Sequence, residues 1–335
     1  MKLGIVGNGL IVKQALECLK EANIEVCALW CRNEEKGKAL QEQYSFTYYN
    51  DYQTFLEDTS FDTVYIGLVN SLHYEYAVQA IEAHKHVIVE KPFTSRYGET
   101  LDLIAAAEEN DVMLFEAMMS RYSRNYDAIL PHLDDIGDIK LIRCNYSQYS
   151  SRYPSYLERK VLPAFDPKYS GGALYDINVY NVAFVVGMFG APRRIEYLAN
   201  KGFNGIDTSG VLLLGYDAFQ AVCVGAKDAD SPSGVIIQGD EGYIEMNSRP
   251  GIVKNLTVHK KGKEPVCIDV KDEGNPMTNE FVRIQEIIDQ DDRTQAAIWM
   301  IRTKQMMSVL DQARVSAGIH FAADDDESFN MDATI

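Results

Sequence analysis

Residues 2–12 read KLGIVGNGLIV, and this stretch decides the fold predicted for the first part of the chain. Its apolar first half predicts a buried strand, and its second half opens a helix. Between the two, Gly7 permits a tight turn, Gly9 lets the backbone approach a pyrophosphate, and the N–H groups at the helix start attract that anion. Glycines also mark ordinary turns, but the combination of strand, turn and helix favours a dinucleotide site. The predicted contacts are Gly7, Asn8, Gly9, Leu10 and Ile11.

The same alternation of apolar runs and helical patterns continues to about residue 117. Strands are predicted at 2–6, 26–30, 63–69, 86–89 and 112–115, and helices near 10–22, 34–44, 71–83 and 95–109. This order implies right-handed crossovers and a doubly wound parallel sheet covered on both faces. We therefore predict an α/β protein whose residues 1–118 form an N-terminal Rossmann domain that binds a dinucleotide.

After residue 118 the pattern changes. A helical segment is predicted at 122–134, a long strand has Ile142, Cys144 and Tyr146 on one face, a polar and aromatic loop spans 150–170, and a helix spans 173–188. Seven short runs between 193 and 269 predict antiparallel hairpins, and two helices follow, at 277–290 and from about Asp292. We predict that residues 119–335 form a C-terminal α+β domain for substrate binding and dimerisation, with a large, mostly antiparallel open sheet.

Composition narrows the classes of function. The chain has 335 residues and a net charge of −17, which disfavours binding to nucleic acid or to an anionic membrane. No secretory leader or long apolar stretch is recognised, so a cytoplasmic location is expected. The six cysteines form no CxxC pair and the six histidines no ligand cluster. These patterns predict reduced thiols and no metal, and they argue against a metal hydrolase.

The end of the second predicted strand bears on the choice of dinucleotide. It reads Trp30-Cys31-Arg32-Asn33, where an NAD-binding fingerprint would place an acidic residue on the ribose. Without that carboxylate, a 2′-phosphate is not repelled, and Arg32 could pair with it or stack on adenine. Arg32 as a plain solvated charge is the alternative. Cys31 and Arg32 are therefore predicted cofactor contacts, with NADP favoured and NAD possible.

Two further segments carry groups suited to proton transfer. Lys91 follows the strand 86–89 within Glu90-Lys91-Pro92, at the sheet edge where such folds bind ligands, although a lysine there is often only a surface residue. In the predicted helix 173–188, Asp176 and Tyr180 stand four residues apart and share a face. Tyr180 offers a phenol, and Asp176 could orient it or bind a substrate hydroxyl. The alternative is a capping aspartate and a half-buried tyrosine.

These segments together resemble one family. Gly7-Asn8-Gly9, Asn70-Ser71-Leu72-His73, Glu90-Lys91-Pro92, the stretch from Glu116 to Tyr122 and the stretch from Gly171 through Asp176 to Tyr180 stand in the order and spacing of the glucose-fructose oxidoreductase/inositol dehydrogenase/rhizopine catabolism (Gfo/Idh/MocA) family. The likeness covers essentially the whole chain. Many members have His at the position of Tyr180. With Tyr at this position, the chain resembles the branch that contains dimeric dihydrodiol dehydrogenase and NADP-dependent xylose dehydrogenase. Two positions depart from the pattern, since Val12 replaces a small residue and Val69 replaces a frequent Pro.

The resemblance implies roles for individual residues. Lys91 would contact the substrate and the nicotinamide ribose, Tyr180 would be the acid/base partner, and Asp176 a substrate or orienting carboxylate. Asn70, His73 and Glu90 would line the cofactor cleft, and Arg121 the substrate pocket. The family also implies a homodimer, or a dimer of dimers, formed through the open sheet face. Tyr153, in the 150–170 loop, is our candidate for a further substrate contact.

The resulting hypothesis is an NAD(P)-dependent dehydrogenase or reductase that acts on CH–OH groups. It would move a hydride between the nicotinamide and a carbinol or carbonyl carbon of a small sugar, polyol or related diol. The alternative is a non-catalytic NAD(P)-binding sensor or regulatory protein of the same fold. The presence of Lys91, Asp176 and Tyr180 favours the enzyme.

Overall fold

The computed structural model describes residues 1–268, 270 and 274–325. Within these residues, the first sheet has six parallel strands in the order β3-β2-β1-β4-β5-β6. The strands are β1 (Leu3–Val6), β2 (Val26–Trp30), β3 (Thr47–Tyr49), β4 (Thr63–Ile66), β5 (His86–Glu90) and β6 (Leu114–Ala117). The strand order reverses between β1 and β4, which is where open α/β sheets bind ligands. The predicted Rossmann sheet is confirmed.

Five helices connect these strands: α1 (Leu10–Glu21), α2 (Glu34–Tyr44), α3 (Tyr52–Leu56), α4 (His73–Glu82) and α5 (Tyr97–Glu109). Two short elements, β3 and α3, were not predicted. Each has five residues or fewer, which is too short for hydrophobic periodicity to show in the sequence.

Contacts divide the chain into two compact units. The first contains Met1–Ala117 and also Met277–Lys304, which covers most of α9 (Pro276–Asp289) and the first half of α10 (Arg293–Ser316). The reason is packing, since the Phe281 ring lies 5.3 Å from that of Tyr65 and the Trp299 ring 6.4 Å from that of Phe115. A single boundary near residue 118 would instead leave both helices in the second domain.

The second unit is built on an eight-stranded sheet in the order β14-β13-β12-β11-β7-β10-β9-β8. Among the described strand pairs of this second sheet, only the central pair β7 and β10 is parallel. The sheet is therefore mostly antiparallel, as predicted. Its strands are β7 (Ile139–Ser147), β8 (Arg194–Lys201), β9 (Asp207–Gly215), β10 (Gln220–Ala226), β11 (Gly234–Gly239), β12 (Gly242–Met246), β13 (Leu256–Lys260) and β14 (Val266–Ile268). Asp269, the last residue of the predicted run there, lies outside the described residues.

Helix α8 (Val179–Phe189) covers one face of this sheet, continuing a π-helical turn at Leu174–Asn178. The amides of Asn178 and Asn181 donate to the carbonyls of Cys223 and Val224 on β10 and fix the helix to the sheet. By length and composition, the stretch Pro167–Phe189 could cross a membrane, but 72% of its apolar window is buried inside the protein. This is the burial of a core helix.

The helix predicted over 122–134 is wrong. That segment consists of short turns, namely Met119–Tyr122, α6 (Arg124–Asp127), Leu130–His132 and Asp134–Ile136. Ser123 is extended, with ψ 128°, which separates the first two turns. Pro131 then stands where a continuous helix needs a backbone N–H, and its ring excludes the preceding turn.

Candidate functional site

The turn after β1 has the geometry needed to receive a phosphate. Gly7 has a φ of +119°, and a Cβ there would lie 2.7 Å from the carbonyl oxygen of Gly67. Gly9 has no heavy atom within 4 Å of the position of a Cβ, so the space before α1 is open. The helix start has no side-chain cap, and its N–H groups remain available to an anion. Leu10 is largely exposed beside this opening.

Val12, the departure at the third glycine position, is accommodated by the neighbouring strand. Its side chain is fully buried, and a Cβ on Gly67 would lie 2.6 Å from Val12 Cγ2. The space lost by the larger residue on α1 is therefore recovered at Gly67, directly after β4. Val12 alters the packing between helix and sheet and leaves the open space at Gly9 intact.

A cleft of about 460 Å³ lies at the ends of β1, β2 and β4, lined by Gly7, Asn8, Trp30, Cys31, Arg32, Asn33 and Leu68. Arg32 is exposed there, and burial raises the pKa of the Cys31 thiol. The Asn33 side chain caps α2, and the next carboxylate, Glu34, pairs with Lys38 at 2.6 Å. Among the described residues, no acidic side chain lines the cleft. The charged side chain in its lining is therefore the cation Arg32.

Trp30, which lines the cleft, packs its ring against two tyrosines. Its indole Nε1 is buried and has no hydrogen-bond partner in the described part of the chain. The ring is held by Tyr52 and Tyr76, at centroid distances of 5.1 and 4.9 Å. The fit to a dinucleotide rests on the open space at Gly9, the uncapped start of α1 and the exposed Arg32 in the cleft.

His73 holds two loops of the site together. It is fully buried at the start of α4, with Nδ1 2.9 Å from the Pro92 carbonyl oxygen and Nε2 3.2 Å from that of Leu68. Burial lowers its pKa to about 4, so at physiological pH the ring is neutral and its single N–H donates to one of these two carbonyls. The structure places His73 behind the cleft surface, between the loop after β4 and the loop after β5. Asn70 opens the 3-10 turn that precedes it.

Lys91 has a distinctive position at the end of β5. From residue 87 to residue 96 every side chain is buried except that of Lys91, which is partly exposed. Its backbone N–H donates to Glu90 Oε2 at 3.1 Å, and the Tyr65 hydroxyl donates to Glu90 Oε1 at 2.7 Å. Burial raises the pKa of Glu90, while the Lys91 charge opposes that rise. The strand end thus presents one amine from otherwise buried surroundings.

The helix of the second unit that runs from Leu174 through α8 leaves its two predicted groups, Asp176 and Tyr180, partly exposed among buried residues, as the end of β5 does with Lys91. Among residues 171–186, only Asp176 and Tyr180 are not buried. The Asp176 side chain is 34% exposed, and the Tyr180 ring lies 5.8 Å from that of Tyr146. A Cβ on Gly251 would lie 2.8 Å from the Tyr180 ring, so this glycine permits the ring's position.

The helix start is held by Asp207, which sequence reasoning missed. Its carboxylate accepts from the Leu174 N–H and from the Tyr197 hydroxyl, both at 2.6 Å. Burial raises the pKa of Asp207. Gly172, with a φ of +103°, leaves the space that this carboxylate occupies. Asp207 therefore performs the capping that was the alternative interpretation of Asp176.

The remaining predicted substrate residues also belong to the second unit. Arg121 is buried in the 3-10 turn that follows β6. Tyr153 begins α7 (Tyr153–Leu157) and packs in an aromatic cluster with Tyr149, Tyr156 and Phe165, at centroid distances of 5.6 to 6.0 Å. The 150–170 loop is thus anchored by its rings.

Comparisons with known proteins agree with this arrangement. Residues 1–118 match the family model described as the GFO/IDH/MocA oxidoreductase family with an NAD-binding Rossmann fold, and residues 133–245 match the GFO/IDH/MocA C-terminal domain. The chain is 30% identical over 328 residues to scyllo-inositol 2-dehydrogenase (NADP(+)) IolU of Bacillus subtilis, covering 97% of this chain and 99% of that one. It is 26% identical to trans-1,2-dihydrobenzene-1,2-diol dehydrogenase of Xenopus tropicalis, covering 95% and 97%.

Among solved structures, the 3-ketoreductase KijD10 of Actinomadura kijaniata, in complex with NADP and TDP-benzene, superposes with a TM-score of 0.83. The identity is 20%, and the match covers 94% of this chain and 97% of that one. At this identity, the likeness concerns the fold.

Proposed function

Because this chain belongs to the Gfo/Idh/MocA oxidoreductase family, we propose that it transfers a hydride reversibly between NADP and a carbinol carbon of a sugar, polyol or related diol. Relatives named for an inositol and for a dihydrodiol support this substrate class. The observation that carries the proposal is the exposure pattern of the second-unit helix. In a stretch of buried residues, it offers only a carboxylate and a phenol, Asp176 and Tyr180.

The protein's part in this reaction is to hold the reactants and to manage one proton. Bound NADP would supply the hydride acceptor for oxidation of the alcohol, and the protein's own groups would take up the hydroxyl proton. We assign this proton to Lys91 and Tyr180, and the reverse reaction returns it. Asp176 would accept a hydrogen bond from a substrate hydroxyl, while Arg121 and Tyr153 would shape the pocket. His73 positions the loops that carry Asn70 and Lys91.

Turnover assays with NADP and a panel of aldoses, inositols and vicinal diols test this function. We expect NADP to be reduced with at least one polyol, measured as absorbance of the reduced nicotinamide. A protein that binds NADP tightly but reduces none of it across the panel would contradict the proposal. That outcome would support the sensor or regulatory protein instead.

We propose that Arg32 gives the protein its preference for NADP over NAD. It is the exposed cation of the cleft at the end of β2, and no carboxylate lines that cleft among the described residues. Replacing Arg32 with Ala should weaken NADP binding by about 10- to 100-fold, the range for losing a hydrogen bond to a charged group, and change NAD binding little. The fluorescence of Trp30, which lines the same cleft, reports both titrations.

The matched control for this change is Arg193→Ala, which removes an exposed arginine paired with Asp217 in the second unit. It should leave both affinities unchanged. Equal loss of NADP and NAD affinity in Arg32→Ala would show that Arg32 contacts a part common to both cofactors, and no loss would show a solvated charge.

We also propose that the protein forms a homodimer through the open face of the eight-stranded sheet. The strand register places Leu141, Leu198, Leu213 and Tyr243 on this face, and between 37% and 59% of each is exposed. These apolar groups lie on four of the six neighbouring strands from β12 to β8, which favours a self-complementary contact. The mass of the protein in solution measures this directly.

We propose a cytoplasmic location. All six cysteines are free thiols, and Cys267 is exposed, which suits a reducing compartment.

A further inference from the structure

Lys227, directly after β10, is a buried lysine that sequence analysis did not single out. Its side chain is 1% exposed. Its backbone N–H donates to the Thr208 carbonyl oxygen at 2.8 Å, and its own carbonyl accepts from the Ser150 N–H at 2.9 Å. Both sides of its peptide backbone are thus fixed to neighbouring segments, and the direction of its side chain is set by the sheet.

The ammonium group of Lys227 connects the 150–170 loop with the helix that carries Asp176. Nζ lies 2.6 Å from Asp176 Oδ2, donates to the Ala164 carbonyl oxygen at 2.5 Å and stands 4.2 Å from the centroid of the Phe165 ring. A buried charge is tolerated in proteins when it is paired and hydrogen-bonded, as it is here. Ala164 and Phe165 belong to the same loop as Tyr153.

The two partners of the ion pair differ in exposure. Lys227 is enclosed, whereas 34% of the Asp176 side chain is exposed. The exposure of Asp176 leaves part of this carboxylate accessible to a ligand. The buried ammonium fixes one carboxylate oxygen and balances its charge, and the exposed part of Asp176 remains within reach of a hydroxyl group.

We propose that Lys227 is a positioning residue that acts through Asp176. It orients the carboxylate to accept a hydrogen bond from a second hydroxyl of the substrate, next to the one that is oxidised. The inference rests on the proposed function and deepens it, since it names the group that Asp176 recognises.

A double-mutant cycle tests this inference in the full-length protein. Lys227→Met, Asp176→Asn and the double variant are assayed with NADP, with a polyol that the wild type oxidises and with its analogue lacking the neighbouring hydroxyl. We expect Lys227→Met to lower kcat/KM for the polyol by about 10- to 100-fold, mainly by raising KM. In the Asp176→Asn background the same change should cost little more, and it should affect the deoxy analogue little in either background.

Two controls separate positioning from general damage. Lys140→Met removes an exposed lysine on β7, paired with Asp138, and should behave as wild type. NADP affinity should be unchanged in every variant. Lys227→Gln, which is shorter and neutral but keeps a donor, replaces Lys227→Met if the latter does not fold, and its loss should be smaller than that of Asp176→Asn.

The outcomes are distinct. Losses that add in the double variant, equal losses with the polyol and the deoxy analogue, or wild-type kinetics in Lys227→Met overturn the role of Lys227 while the dehydrogenase remains. A wild type that binds NADP but oxidises no polyol overturns the proposed function, and this inference with it.

Discussion

Replacing Lys91 with Met is expected to lower kcat by roughly 10²-fold or more, the usual cost of losing a general acid or base. Methionine keeps the length and the apolar stem of the side chain but removes the amine that can hold a proton. Lys91 is the one partly exposed residue between positions 87 and 96, so the change alters little of the packing around it. Steady-state kinetics with NADP and the best polyol of the panel measures the effect.

NADP affinity should be nearly kept in Lys91→Met, since the glycine turn and the Arg32 cleft lie at β1 and β2. Lys85→Met provides a control directly before β5, the strand that Lys91 follows. Lys85 is buried, and its Nζ donates to the carbonyl oxygens of Asp58 and Phe61, both at 2.8 Å. That variant should lose thermal stability and keep kcat. Unchanged kcat in Lys91→Met would remove Lys91 from the reaction.

Much of the first unit could be predicted because its signals are local. The turn at Gly7 and Gly9 stands between a strand and a helix in the sequence itself, and both the sheet and the open space at Gly9 are found. The compensation between Val12 and Gly67 could not be predicted. These residues are 55 positions apart, and each alone is an ordinary residue of its element.

In the second unit, residues that share a helix face could be predicted from their spacing, whereas contacts between distant segments could not. Asp176 and Tyr180 could be identified because a helix of known period places them on one face. Lys227 and Asp207 could not, because their partners on the helix start are 51 and 33 positions away. Lys227 also precedes Asp228, Ala229 and Asp230, a polar stretch typical of a solvated turn.

Replacing Tyr180 with Phe is expected to lower kcat by roughly 10²-fold or more, because it removes the phenol that exchanges the substrate proton. The aromatic ring stays, and so do its contacts with Tyr146 and with the backbone at Gly251. The melting temperature should therefore change little. Kinetics and thermal denaturation of the same preparation separate the loss of a reacting oxygen from a loss of structure.

Tyr126→Phe is the matched control, because the Tyr126 hydroxyl is buried and donates to the Phe184 carbonyl oxygen on α8 at 2.8 Å. Its removal deletes one buried hydrogen bond and should cost about 0.5–1.5 kcal/mol of unfolding free energy, with kcat kept. Wild-type kcat in Tyr180→Phe would exclude the phenol as the acid/base group.

The double variant Lys91→Met/Tyr180→Phe decides whether the two groups serve one proton. Groups that act as a unit give strongly non-additive losses, so the double variant should be only slightly slower than the slower single variant. If each group had an independent task, the two losses would multiply, to roughly 10⁴-fold or more. A multiplied loss would keep both residues in the reaction and would contradict the shared proton.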